Sequence, residues 1–226
     1  MNPVLKRLRF RRFSTVQLLV ALVVLLVSAP FVEELEGGHL ILSVLFSLVL
    51  VAAVFPVADQ KRTLAIALVL AVPALTARWM NHFRPDLVHP FVFLVCALLL
   101  LAFVIGHLLH FVLRAPVVNV EVLCASIAAY LMLGLTWTVA YWLVDQVTPG
   151  GAFSFNTARG GHSIDGFTGF YFSFITLSTV GYGDITPVSR AARWLAAMEA
   201  MTGLLYVAVL IARLVSLYSS TKSDQS

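Results

Sequence analysis

The chain has 226 residues, 60% of them hydrophobic and only 12% charged. A water-soluble domain carries about a quarter charged residues, so the composition excludes one and places the chain in a bilayer. The formal charge of +4 does not indicate nucleic acid, because the basic residues stand at the ends of apolar runs, as topology signals do.

The chain opens on a basic segment, Lys6-Arg7-Leu8-Arg9-Phe10-Arg11-Arg12. The apolar run behind it is about as long as a full span and has no small-residue cleavage site. It is expected to stay as a first span. A span needs about 20 apolar residues. Spans are therefore expected at 14–32, 39–57, 63–80, 87–113, 119–145 and 192–218.

Lys and Arg in short connections mark the cytoplasmic side. Six spans with an inside N-terminus put Lys6, Arg7, Arg9, Arg11, Arg12, Lys61, Arg62, Arg114, Arg213 and Lys222 inside. Arg78, Arg84, Arg159, Arg190 and Arg193 then fall outside, which is five of the 15 basic residues against ten. Glu33, Glu34, Glu36, Asp86, Asp145, Asp165 and Asp184 also fall outside, but acids set topology weakly. Both termini are expected in the cytoplasm. The basic start (1–13) is expected to fix topology and to touch anionic lipid. The tail (220–226) leaves no room for a soluble domain.

Cys96 and Cys124 lie inside apolar runs and read as small hydrophobes, not as a disulfide or metal site. His107 and His110 are one turn apart but have no acid or cysteine cluster near them in sequence, and they read as polar packing groups. No nucleophile–base pair, phosphate loop or metal cluster points to an enzyme or a small-molecule substrate.

The fifth and sixth spans are separated by 146–191. Residues 146–166 are polar and Gly-rich and are expected to form an exposed loop. Residues 167–177 are apolar and strongly aromatic but too short to span, which suits a re-entrant helix. Thr179-Val180-Gly181-Tyr182-Gly183-Asp184 follows. Irregular backbone at membrane depth is tolerated only where protein or an aqueous path receives it. The two glycines can adopt backbone angles closed to other residues. Alternation around them can turn successive carbonyls toward one axis, where they replace the water shell of a cation.

At these residues the sequence resembles the potassium channel superfamily. Thr176–Asp184 is its selectivity filter, and the likeness runs from about 119 to 218. The resemblance implies an all-α integral membrane protein, with six transmembrane helices and a re-entrant pore helix and filter between helices 5 and 6. It implies a homotetrameric pore around one axis, with K+ as the permeant ion. The carbonyls of Thr179, Val180, Gly181, Tyr182 and Gly183, with the Thr179 hydroxyl, would line the ion sites. The compact, tail-less pattern looks like a prokaryotic member, in the plasma (inner) membrane. Ile175 stands where one bacterial channel has a glutamate, so no carboxylate pair with Asp184 is expected behind the filter. Tyr171 and Phe172 stand where many relatives have two tryptophans. Tyr171 reads either as a donor bracing Asp184 or as an interfacial aromatic.

In the sixth span Gly203 matches the family's hinge glycine by direct count, or else serves as a small residue for close packing. Gly203, Val207, Ile211 and Val215 recur at i+4 and are assigned, with Leu204, to the inner cavity and gate. Glu199, an ionisable residue inside a span, is expected to bond behind the pore helix, to Thr176 or Ser178, or else to face the cavity. Arg213 is expected to snorkel or to pair with a cytoplasmic-side acid such as Glu121.

Six spans with the pore in the last two resemble the layout of voltage-gated channels. Residues 87–113, however, contain no Lys or Arg, and Arg114 ends the run. Residues 14–114 thus read as a sensor-like domain without gating charges, followed by a pore domain (115–219). Voltage dependence is expected to be weak or absent. The rival readings are a less selective cation channel and, in another class, a K+ transporter or uptake subunit.

Overall fold

The computed structural model describes residues 3–33, 35–58, 60–83, 89–117, 119–156 and 164–223, with the backbone alone for 3–13, 214 and 217–223. The basic N-terminal side chains, Glu34, Arg84, Asp86, Arg159, His162 and the side chain of Lys222 lie outside the described part. So do the lipid contacts expected of the N-terminal cluster.

Seven helices are described: α1 (Pro3–Val32), α2 (Gly38–Val54), α3 (Lys61–Phe83), α4 (Pro90–Arg114), α5 (Val120–Val147), α6 (Gly166–Leu177) and α7 (Arg190–Ser223). Six are long and apolar enough to cross a membrane, and the 12-residue α6 is not. Several bounds differ from those read off hydropathy. α1 begins at Pro3, because Lys, Arg and Leu are good helix formers and helical backbone continues past the apolar run. α3 and α7 overrun their apolar cores for the same reason. α2 gives way to a 3-10 turn at Phe55–Val57, where Pro56 lacks a backbone donor.

Local chemistry sets the other starts. His89 Nδ1 accepts from Phe91 N at 3.3 Å just before Pro90 opens α4. Asn119 Oδ1 accepts from Val122 N at 2.9 Å and caps α5. Ser189 Oγ accepts from Ala192 N at 3.1 Å at the start of α7. Each satisfies an amide that the first helical turn leaves without a partner.

The α4–α5 connector runs only from Ala115 to Asn119. It turns α4 back as the antiparallel neighbour of α5. α1 also packs on α5, so α1–α4 and α5–α7 of one chain share a core. Leu18 and Leu22 of α1, Phe46 and Leu50 of α2, Leu100 and Leu101 of α4 and Ala128 and Met132 of α5 fill it. The buried stripe of α3 is all alanine (Ala67, Ala71, Ala74, Ala77), which lets its backbone approach closely.

The fold is helical, as expected, apart from one short strand pair. β1 (Phe153–Phe155) pairs antiparallel with β2 (Ile185–Pro187), Ser154 opposite Thr186. Residues 146–166 are not simply an exposed loop, since Ala152, Phe153 and Ile164 are buried. A separate aromatic cluster explains both. Tyr141, Phe153 and Phe172 meet edge to face, with centroids 4.9–5.6 Å apart, and draw the strand down onto α5 and α6.

Candidate functional site

α6 lies between α5 and α7. Its buried stripe is Gly169, Phe170, Ser173 and Leu177, spaced as one helical face requires. Two glycines let the neighbouring helices close on it. A Cβ at Gly203 of α7 would stand 2.0 Å from the Leu177 carbonyl oxygen. A Cβ at Gly134 of α5 would stand 2.6 Å from the Phe174 ring.

Beyond Leu177 the chain runs irregularly to β2. Thr179, Gly181 and Gly183 have φ of +61°, +52° and +80°, and Val180 and Tyr182 between them lie outside the positive region. Positive and negative φ therefore alternate along the segment. A strand sends successive carbonyls to opposite sides, whereas an alternation of this kind can turn them to one side. Thr179 in this region is strained, because a β-branched side chain crowds its own backbone there, at a cost of order 1–3 kcal/mol.

Hydrogen bonds hold the segment against the end of α6. Thr179 N donates to Thr176 O at 2.9 Å. Val180 N and Gly181 N both donate to Ile175 O, at 2.8 and 3.1 Å. The amides are thus spent on α6. The carbonyls of Thr179, Val180, Gly181 and Tyr182 accept no hydrogen bond among the described residues, and the segment is exposed on the single chain, Tyr182 by 72%. A row of same-facing free carbonyls is a set of hard oxygen ligands, suited to an unhydrated metal cation.

Side-chain and backbone bonds brace the Asp184 end of the row. Tyr171 Oη donates to Asp184 Oδ2 at 2.8 Å. Asp184 O accepts from Asn156 N at 2.8 Å, which ties the outer end to β1. Asp145 Oδ1 accepts from Ala152 N at 2.6 Å, and Ala152 O accepts from Val188 N at 2.8 Å. The segment is thereby strapped to α5 as well as α6.

Glu199 is fully buried behind α6, but not against Thr176 or Ser178. Ser173 Oγ donates to its Oε1 at 2.5 Å, and Tyr141 Oη donates to its Oε2. The physical reason is the helical stripe. Ser173 lies on the buried face of α6, whereas Ser178 lies past the helix end, where its hydroxyl donates to Phe174 O at 2.6 Å. Thr176 contributes its carbonyl to Thr179 instead. Ser173 also reaches Gly134 O at 2.7 Å, so one cluster joins α5, α6 and α7.

α7 is continuous through Gly203, which packs against Leu177. Each i+4 step turns the face by about 40°. Gly203 therefore looks into the subunit, while Val207, Ile211 and Val215 turn progressively away from that direction. With Leu204 these are 42–66% exposed on the single chain. Arg213 Nη2 donates to Ala115 O at 2.9 Å, at the α4–α5 turn.

Tyr141, Ser173, Gly134 and Asn156 were not foreseen. Ser173, a polar residue in an apolar stripe of α6, carried a readable signal. Tyr141 and Asn156 did not, because their partners stand 58 and 28 residues away. Among the described residues no group of three His, Cys, Asp or Glu is placed to hold a metal ion.

Residues 117–220 match the model of an ion channel family. The chain is similar to "Two-pore potassium channel 1" of Arabidopsis thaliana, 33% identical over 42% of this chain and 23% of the relative. It is similar to "Protein LctB" of Bacillus caldotenax, 47% identical over 20% of this chain and 33% of the relative. It is also similar to "Protein LctB" of Geobacillus stearothermophilus, at 49% over the same shares. The chain thus spans about a quarter to a third of the curated relatives it matches. No solved structure matches it.

Proposed function

From its membership of the potassium channel superfamily, carried by the ion channel domain at 117–220, we propose that this membrane protein is one subunit of a channel that conducts K+ passively and selectively. The observation that carries the proposal is the row of free, same-facing carbonyls from Thr179 to Tyr182, continued by Gly183. In this reading α6 is a re-entrant pore helix, and its negative C-terminal end points at the central cavity. The carbonyl row and the Thr179 hydroxyl stand in for the hydration shell of K+.

One row makes only a quarter of each ion cage, so four copies close the pore. The exposure of Tyr182, and of Leu204, Val207 and Ile211 on α7, supports burial of these groups by neighbouring subunits and along the cavity. Val207, Ile211 and Val215 form the inner constriction, and Gly203 holds α7 against the pore helix. Both termini face the cytoplasm of a plasma membrane, by the distribution of Lys and Arg. No cofactor beyond the permeant ion is required.

The test is a planar bilayer holding the purified full chain, with K+ on one side and Na+ on the other. The expected result is a reversal potential displaced toward that of K+. A reversal potential near zero would replace selectivity with general cation conduction. Saturating flux coupled to a Na+ or proton gradient would make the protein a transporter.

A further inference from the structure

A cleft of about 380 Å³ opens between α2–α4 and the α5–α6 corner. That volume falls in the range of about 300–1,000 Å³ typical of small-molecule sites. Its walls carry opposite charges. Arg78 of α3 lines one side, and Asp145 of α5 and Asp165, just before α6, line the other.

These charges do not satisfy one another. Arg78 donates through Nη2 to Ser43 Oγ at 3.1 Å, and its buried Nε has no hydrogen-bond partner among the described residues. Its guanidinium lies 4.9 Å from the ring centres of both Phe46 and Phe93, which hold it in place. Asp145 spends Oδ1 on Ala152, but neither its Oδ2 nor the Asp165 carboxylate accepts a hydrogen bond among the described residues. An arginine inside a span without an acid partner is costly. A ligand carrying both charges would offset that cost.

The surface beside the cleft, taken as its rim, is apolar: Leu40, Ile41, Met80, Phe83 and Phe91, each within two residues of one that lines the cleft, are 40–71% exposed. A polar two-charge pocket beside an apolar surface fits an amphiphile.

We propose that this cleft binds the headgroup of a zwitterionic phospholipid of the ethanolamine type. The phosphate meets Arg78 and Asn81, the ammonium meets Asp145 and Asp165, and the acyl chains lie along the rim. The site stands on the cleft itself. Only its assignment to the outer leaflet rests on the orientation proposed above.

Native mass spectrometry of the full chain in detergent, titrated with phosphatidylethanolamine, measures this directly and independently of conduction. The expected result is one lipid retained per subunit. Arg78→Gln should weaken retention by about tenfold or more, as loss of a charged hydrogen-bond partner does, and Arg78→Lys should restore part of it. Phosphatidylglycerol, which lacks the ammonium, should be held less well, and Asp165→Asn should remove that preference. The Asp165 variant leaves Arg78 in place, so it decides the matter even if Arg78→Gln fails to assemble. Equal retention by wild type and Arg78→Gln overturns the site. Equal binding of the two lipids overturns the zwitterionic headgroup. Displacement of the lipid by soluble phosphoethanolamine, bound as tightly on its own, overturns the lipid as its source.

Discussion

Single side chains decide how firmly the carbonyl row is held. Asp184 Oδ1 is buried without a hydrogen-bond partner, and Oδ2 takes its bond from Tyr171. Removing a donor from a part-buried carboxylate costs about 1–3 kcal/mol. In the proposed channel, Tyr171→Phe is therefore expected to shorten the conducting lifetime by about tenfold or more, the factor that 1.4 kcal/mol carries. Single-channel dwell times check this, and unchanged lifetimes, conductance and selectivity would remove Tyr171 as a brace. Glu199 makes a parallel case in the core. Glu199→Ala would leave the buried Tyr141 hydroxyl without its acceptor, at about 1–3 kcal/mol, while Ser173 keeps the Gly134 carbonyl. Glu199→Gln keeps the shape and an acceptor. Thermal melting of the assembled protein is expected to fall markedly for the alanine variant and little for the glutamine. The residues that stand next to the row along the chain were legible from it. Tyr141 was not, because a hydrogen bond across 58 residues leaves no periodic trace.

Helix ends link one element to another. The α1–α2 turn places Glu33 at the start of α6, where its Oε2 accepts from Phe167 N at 2.9 Å. Burial pushes the Glu33 carboxyl above the ordinary carboxylate range, and Asp165 pushes it further. The Phe167 amide and His39 pull it down, but burial prevails. A raised folded-state value means that the folded protein favours the protonated form. The stabilising contribution is thus fully present below the ordinary value of 4.5 and is lost as pH rises through the folded value. Glu33→Gln retains an acceptor and does not titrate. The melting temperature of wild type relative to Glu33→Gln is expected to fall as pH rises from about 4 into the range above the model-peptide glutamate value. A flat difference would show that the carboxyl is not buried. The same scale accounts for the errors in helix bounds. Hydropathy measures where lipid ends, whereas backbone hydrogen bonding and caps decide where a helix ends.

Across the whole molecule, α1–α4 pack against the ion channel domain without a row of Lys or Arg along α4. The one Lys or Arg of α4 is Arg114, in its last turn. Each elementary charge crossing the field is worth about 2.3 kcal/mol per 100 mV, and steep gating takes about 3–4 charges per subunit. Open probability between −100 and +100 mV is expected to vary by less than one charge per subunit would produce, about the limit at which a gating role for α4 is excluded. An e-fold change per few millivolts would overturn this. The packing of α1 and α4 against α5 of the same chain joins these helices to the ion channel domain. They can influence α5 and the start of α6 through packing, Glu33 and the cleft around Arg78.

The sequence by itself determined the membrane setting, the number of spans, the short aromatic helix and the position of the carbonyl row. All of these follow from composition, run length and neighbours along the chain. Only the tertiary structure decided that Thr179 joins the two glycines in left-handed backbone, that β1 and β2 strap the outer end, and that Gly203 packs against Leu177. It alone placed Glu199 between Ser173 and Tyr141. The reason is physical: hydropathy and helical period are properties of one segment, whereas close approach, register and hydrogen-bond pairing exist only between segments that folding has brought together.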